Sequence, residues 1–169
     1  MSSSSEVKAP AHHESMAMVE TVRTILKNKG NQVWSLSPED SVYDAVALMA
    51  DKSVGALMVL SNGRIEGILS ERDYARKVVL RDRASKDTPV RDIMTTKVVT
   101  VTPDRTIPQC IALMHEHGIR HLPVVEGRKV IGVLSVRDLL RAVVEHHERC
   151  IRDLEVERMT MLNPNVSSY

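Results

Sequence analysis

Gly67-Ile68-Leu69-Ser70-Glu71-Arg72-Asp73 recurs sixty-five positions later as Gly132-Val133-Leu134-Ser135-Val136-Arg137-Asp138. The same shift lays Val33 to Val79 over Val98 to Val144 without a gap. Apolar matches such as Leu48/Leu113, Leu57/Leu122 and Val59/Val124 say that both copies build a similar core. The polar matches say more: serine, arginine and aspartate return with their spacing intact. A repeat of this kind fixes the architecture before any single element is considered.

Each copy reads strand, helix, strand, strand, helix. Val33 to Leu36 and Val98 to Val101 are expected as short strands, closed by Ser37-Pro38 and Thr102-Pro103. Ser41 reads as an N-cap ahead of Val42, Ala45, Val46 and Met49, which fall at helical spacing. Thr106 with Gln109 has the pattern of a capping box. Pro108 fits there because the first helical turn needs no internal N–H partner. Ala56 to Leu60 and Arg64 to Leu69 are expected to form a hairpin around Asn62-Gly63, two residues that accept positive φ. His121 to Val125 and Lys129 to Leu134 form the second, around Gly127. A helix follows each hairpin, from Ser70 and from Ser135. Ahead of the first copy a helix is expected from about Met18 to Lys27. Its Val22-Arg23-Thr24-Ile25-Leu26 resembles Val90-Arg91-Asp92-Ile93-Met94 ahead of the second. The first lead-in has three more residues before its strand. Residues Arg81 to Thr88 are a charged linker. The last helix is expected to run to about Met159, with Leu140, Val143, Val144, His147, Ile151 and Leu154 as an apolar stripe suited to self-association. The expected divisions are a disordered tail over 1–15, a first repeat over 16–82, a second over 83–148, and a helical extension with a tail over 149–169.

Bulk properties exclude several classes. At 169 residues and 43% hydrophobic the chain can bury one ordinary core, or two small ones that share a surface. A formal charge of +1 argues against a partner bound through a nucleic-acid backbone. Aromatics at 2%, with no Phe, argue against a base-stacking surface. No apolar run approaches the roughly eighteen residues of a membrane span. The N-terminus has no charged-then-apolar signal segment, and its serine run lacks arginine, so a cytoplasmic, reduced protein is expected. Cys110 lies among Ile107, Ile111 and Met114 and reads as a buried small hydrophobe. The seven histidines complete no tetrahedral metal set, and no metal is expected. No hydrolase, metalloprotease or P-loop motif is present, and an enzyme is not expected.

The duplicated polar cluster has a plain structural use. Serine at an N-cap and a carboxylate at the third helical position satisfy each other, worth about 1 kcal/mol. The arginines do not fit that use. Arg72 and Arg137 stand in a first helical turn, where a cation is mildly unfavourable. Arg76 and Arg141 follow one turn later on the same face. Arginines beside free N–H groups at a helix start suit a phosphate. Asp73 and Asp138 can accept both hydroxyls of a ribose. Gly67 and Gly132 permit close approach of backbone or ligand.

At this point the chain resembles a tandem pair of cystathionine β-synthase (CBS) domains, a Bateman module, over about Val19 to Glu148. The resemblance rests on the doubled Gly-x-x-Ser-x-x-Asp and on Gly-Ile-Arg-His-Leu-Pro-Val-Val at Gly118 to Val125. It implies an α/β fold of two β-α-β-β-α units related by a pseudo-twofold axis, and two clefts for adenosine-containing ligands. AMP is the first choice of ligand, with ATP, ADP, NAD(H) and S-adenosylmethionine as alternatives. Asp73 and Asp138 would hold riboses, with Ser70 and Ser135 beside them. Arg72, Arg76, Arg137 and Arg141 would meet phosphate, together with Arg120 and His121. Adenine would lie against Val99, Leu122 and Pro123 in one cleft, and against Trp34, Leu57 and Met58 in the other. The first copy departs from the pattern: Gly55-Ala56-Leu57-Met58 replaces Arg120-His121-Leu122-Pro123, and Trp34 replaces a small aliphatic. The two clefts are therefore expected to differ, with the Asp138 cleft the better formed. A homodimer and an unidentified protein partner are implied. A dimerisation scaffold with vestigial clefts, or a thiol sensor working through Cys150, are the competing readings.

Overall fold

The computed structural model describes residues 18–162. The tail expected over 1–15 and the segment after Leu162 lie outside them. The first lead-in is α1 (Val22–Lys29), followed by β1 (Ser35–Leu36), α2 (Val42–Lys52), β2 (Ala56–Ser61), β3 (Arg64–Ser70) and α3 (Glu71–Lys77). After turns of 3-10 helix at Val79–Arg81 and Val90–Asp92 come α4 (Ile107–His117), β4 (His121–Glu126), β5 (Lys129–Ser135) and α5 (Val136–Leu162). This is the α/β repeat that the sequence predicts.

The local rules hold where they are local. Ser41 Oγ accepts the Asp44 N–H, and Thr106 and Gln109 form a reciprocal capping box. Asn62 and Gly63 both take positive φ, as a two-residue hairpin loop of mirror-image turn type requires. β2 pairs antiparallel with β3, and β4 with β5, each with one register irregularity, at Val59/Leu60 and at Val124/Val125.

The opening strands of both copies are shorter than expected. β1 pairs parallel with β2 through Ser35 and Leu36. Its counterpart over Val98–Val101 is reduced to a single bridge between Val101 and Val124. The Val98 N–H turns back to the Thr96 carbonyl at 3.0 Å, so the chain joins the sheet only at its end.

The lead-ins are exchanged. Val22, Ile25 and Leu26 of α1 are buried with Val101, Ile107, Cys110, Met114, Leu122, Val124, Leu134 and Leu139, the core of the second copy. Val90 and Ile93 are buried with Val42, Ala45, Met49, Leu57, Val59, Leu69 and Val78, the core of the first. The same bonds fix both exchanges. Val22 N–H donates to the Arg105 carbonyl at 2.9 Å, and Val90 N–H to Asp40 at 2.8 Å. Ile107 N–H donates to Glu20 at 3.0 Å, and Val42 N–H to Thr88 at 2.9 Å. The duplicated glycines serve this contact. A Cβ on Gly132 would meet a Leu26 methyl at 2.6 Å, and one on Gly67 would meet the Met94 sulfur and the Thr95 carbonyl, each at 2.9 Å. What approaches both glycines is the exchanged lead-in.

Only the first part of α5 is packed. Leu139 and Ala142 are buried, and every residue from Ile151 to Leu162 is exposed. The expected stripe is largely open to solvent, with Leu140 61%, Ile151 56% and Leu154 55% exposed. No helix among the described residues is long and apolar enough to cross a membrane.

Candidate functional site

β5 ends at Ser135, and the helix that follows turns its first carboxylate back onto that serine. Asp138 Oδ2 accepts the Ser135 N–H at 2.7 Å and the Ser135 hydroxyl at 2.9 Å, while Ser135 Oγ accepts the Asp138 N–H. Ser70 and Asp73 repeat the arrangement at the end of β3. Both aspartates are thus held by the cap that the sequence predicts.

Each carboxylate also has a lysine, and here the copies part. Lys29, in the last turn of α1, donates to Asp138 Oδ2 and to the Val133 carbonyl, both at 2.7 Å. Lys77, one turn beyond Asp73 on α3, reaches Asp73 Oδ1 at 2.8 Å and the Ile93 carbonyl at 2.7 Å. Burial pushes each carboxyl up, but hydrogen bonds from the lysine and the serine outweigh it, and both titrate below the ordinary value. Neither lysine was a sequence candidate. The visible signal for Lys29 was the three extra residues of the first lead-in, which let α1 continue to that position.

A cavity of about 810 Å³ opens beside Asp138. Second-copy residues on its wall are Arg120, His121, Ser135, Arg137, Asp138 and Arg141. Lys29, Trp34, Gly55 and Glu71 come from the first copy and its lead-in, so the cavity lies between the repeats. Trp34, expected with the other cleft, stands in this one. Lys52 Nζ lies 4.7 Å from the centroid of its ring, a cation–π contact. Four cationic residues line the cavity against two carboxylates, and among the described residues Arg120, Arg137 and Arg141 have no carboxylate in ion-pair range. Such a wall attracts anions. It also acts on His121: burial first, then the Arg120 charge, lowers its imidazole to about 4, against an opposing pull from Asp138. The ring is neutral at pH 7.

Several expected site residues lie elsewhere. Leu57 and Leu122 belong to the two buried cores, and Met58 and Pro123 are buried as well. Val99 is partly buried against the second core. β2 and β4 are covered on both faces, so Leu57 and Leu122 turn into the cores while Met58 and Pro123 are buried on the opposite faces. Arg72 donates to the Gly118 carbonyl at 2.9 Å, which ties α3 to the end of α4. Arg76 is exposed. Cys110 is buried as expected, and Cys150 Sγ lies 3.6 Å from His146 Nε2 on the exposed helix. No cluster suited to a metal occurs among the described residues.

The CBS-domain profile matches residues 22–80 and 90–145, the two copies with their lead-ins. The chain belongs to the CBS-domain family. This CBS pair is 39% identical over 163 residues to the Arabidopsis thaliana CBS domain-containing protein CBSX3, mitochondrial, covering 90% of this chain and 79% of that one. Among solved structures, a CBS-domain protein from Burkholderia ambifaria has 50% identity and a TM-score of 0.73, over 75% of this chain and 95% of its own. The CBS pair of protein MJ0100, solved with 5′-methylthioadenosine and S-adenosyl-L-methionine, shares the fold at 21% identity and a TM-score of 0.67, over 75% of this chain and 98% of its own.

Proposed function

We propose that this CBS pair is a regulatory module, not an enzyme, that binds an adenine nucleotide in the cavity beside Asp138 and passes the change to a protein partner. One observation carries the reading. Asp138 Oδ1 accepts no hydrogen bond from the described residues, while Oδ2 takes all three of that side chain's donors. A carboxylate with one open oxygen, beside arginines that lack acidic partners, matches a ribose joined to phosphate. Asp138 holds the hydroxyls; Arg137, Arg141 and Arg120 meet phosphate; Trp34 offers an aromatic face to the base. Neutral His121 can donate or accept without adding charge. AMP is the first choice, with ATP, ADP, NAD(H) and S-adenosylmethionine as alternatives. The complex of the MJ0100 pair with 5′-methylthioadenosine and S-adenosyl-L-methionine supports an adenosyl ligand for this fold, although neither of those ligands carries a phosphate. Binding shifts the relation of the two repeats only if one arrangement holds the ligand better. A cytoplasmic homodimer completes the proposal.

Calorimetric titration with AMP, ATP, NADH and S-adenosylmethionine tests it, followed in parallel by fluorescence of Trp34, the only tryptophan. Saturable heat and a change in Trp34 emission with one of them are expected. No heat and no thermal stabilisation from any would overturn the reading. A second reading, a scaffold acting through α5, is favoured by the exposed stripe alone and predicts partner binding that survives Asp138→Asn.

A further inference from the structure

We infer that this CBS pair holds one nucleoside per chain, at Asp138, and that Asp73 is closed to ligand by a lock made of Lys77 and Thr95. The inference rests on the nucleotide reading of the Asp138 cavity and deepens it. A carboxylate offers about four lone-pair positions to donors. At Asp73 the chain itself fills four. Oδ2 accepts the Ser70 N–H at 3.0 Å and the Ser70 hydroxyl at 2.7 Å. Oδ1 accepts Lys77 at 2.8 Å and the Thr95 hydroxyl at 3.3 Å. No position remains for a ribose hydroxyl, whereas Asp138 keeps Oδ1 open.

The lock is built into the backbone. Thr95 pairs with Ile68 on β3 through two hydrogen bonds, of 2.9 and 3.0 Å. This pairing fixes the Thr95 backbone beside closely packed Gly67 and so holds its side chain within reach of Asp73. The phosphate side is also reduced there, with exposed Arg76, the counterpart of Arg141, left on α3. Arg72, counterpart of Arg137, is committed to Gly118. The counterparts of Arg120 and His121 are Gly55 and Ala56. The cause is the unequal lead-ins. The first remains helical past Leu26 and delivers Lys29; the second leaves its helical turn after Asp92 and delivers Thr95 to β3.

The test is the stoichiometry of AMP and ATP binding to the whole chain, with three variants. One site per chain is expected for the wild type. Asp73→Asn should leave affinity within about twofold, and Asp138→Asn should weaken it at least tenfold. Two sites in the wild type, or an equal loss in both variants, would overturn the inference and leave the nucleotide reading standing. Silence from every adenosyl ligand would defeat that reading, and with it the assignment of one site. The lock itself is then judged without ligand. Lys77→Met should raise the Asp73 carboxyl titration seen by NMR and lower the melting temperature; an unchanged titration would remove the lock.

Discussion

Lys29 and Asp138 are separated by 109 positions in the chain, yet Nζ and Oδ2 lie 2.7 Å apart on the wall of the inter-repeat cavity. The contact joins the first lead-in to the helix start of the second copy. It also leaves the partner oxygen of Asp138 free, which is what the proposed ribose contact requires.

Lys29→Met tests the strength of that contact. The two side chains are 28% and 16% exposed, so the pair is only partly screened. Removing the ammonium leaves a half-buried carboxylate with its serine alone, at a cost of about 1–3 kcal/mol near neutral pH. The Asp138 contribution is present above the ordinary carboxyl value and is lost as pH falls through its depressed one. In Lys29→Met that loss moves to higher pH. Thermal melts from pH 7 to pH 3 measure both effects.

His121 sets a separate acid dependence. Its imidazole stays neutral in the fold down to about 4, but protonates near 6.5 in the unfolded chain. The unfolded state therefore binds more protons between those values, and stability falls as pH drops from 6.5 towards 4, by up to about 3 kcal/mol. Above 6.5 the group contributes no slope. In His121→Phe the melting temperature should change less between pH 7 and pH 5 than in the wild type.

Where sequence and fold agree, the rule involved is short-ranged. Asn62-Gly63 announces its turn because positive φ is a property of those residues, and Ser70 with Asp73 announces a cap because donor and acceptor are three positions apart. The presence of Trp34 and Lys29 on the Asp138 cavity is not legible in the sequence, because both depend on how the repeats meet. Leu57 and Leu122 belong to the cores, and an apolar residue in a strand looks the same from sequence whether it meets a base or a core. The strand expected over Val98–Val101 failed for a related reason: parallel pairing is settled by distant partners, and Val98 spent its N–H locally.

Gly67 and Gly132 differ in what they tolerate. A methyl at Gly132 meets the far end of the buried Leu26 side chain, which must shift within its core. A methyl at Gly67 meets the Thr95 carbonyl, which is held by the Ile68 bridge. Gly132→Ala should cost about 1 kcal/mol and Gly67→Ala about 2–3 kcal/mol. Chemical denaturation of the two variants gives the ranking directly.

Ending the chain at Arg149 removes only the open half of α5. The buried residues of that helix, Leu139 and Ala142, remain, as does the Arg149–Glu20 ion pair at 3.2 Å. The melting temperature of a monomer should hardly change. If the stripe joins two copies, light scattering should report a dimer for the full chain and a monomer for the shortened one.

The exchange of lead-ins means that the unit that was duplicated and the unit that folds are not the same stretch of polypeptide. A fragment cut between residues 82 and 83 would carry one hydrophobic interior without its lid and one lid without its interior. Expressed separately, such halves would behave as complementing fragments, each largely unstructured until mixed with the other. The intact chain, for the same reason, should melt in one step and not as two independent halves.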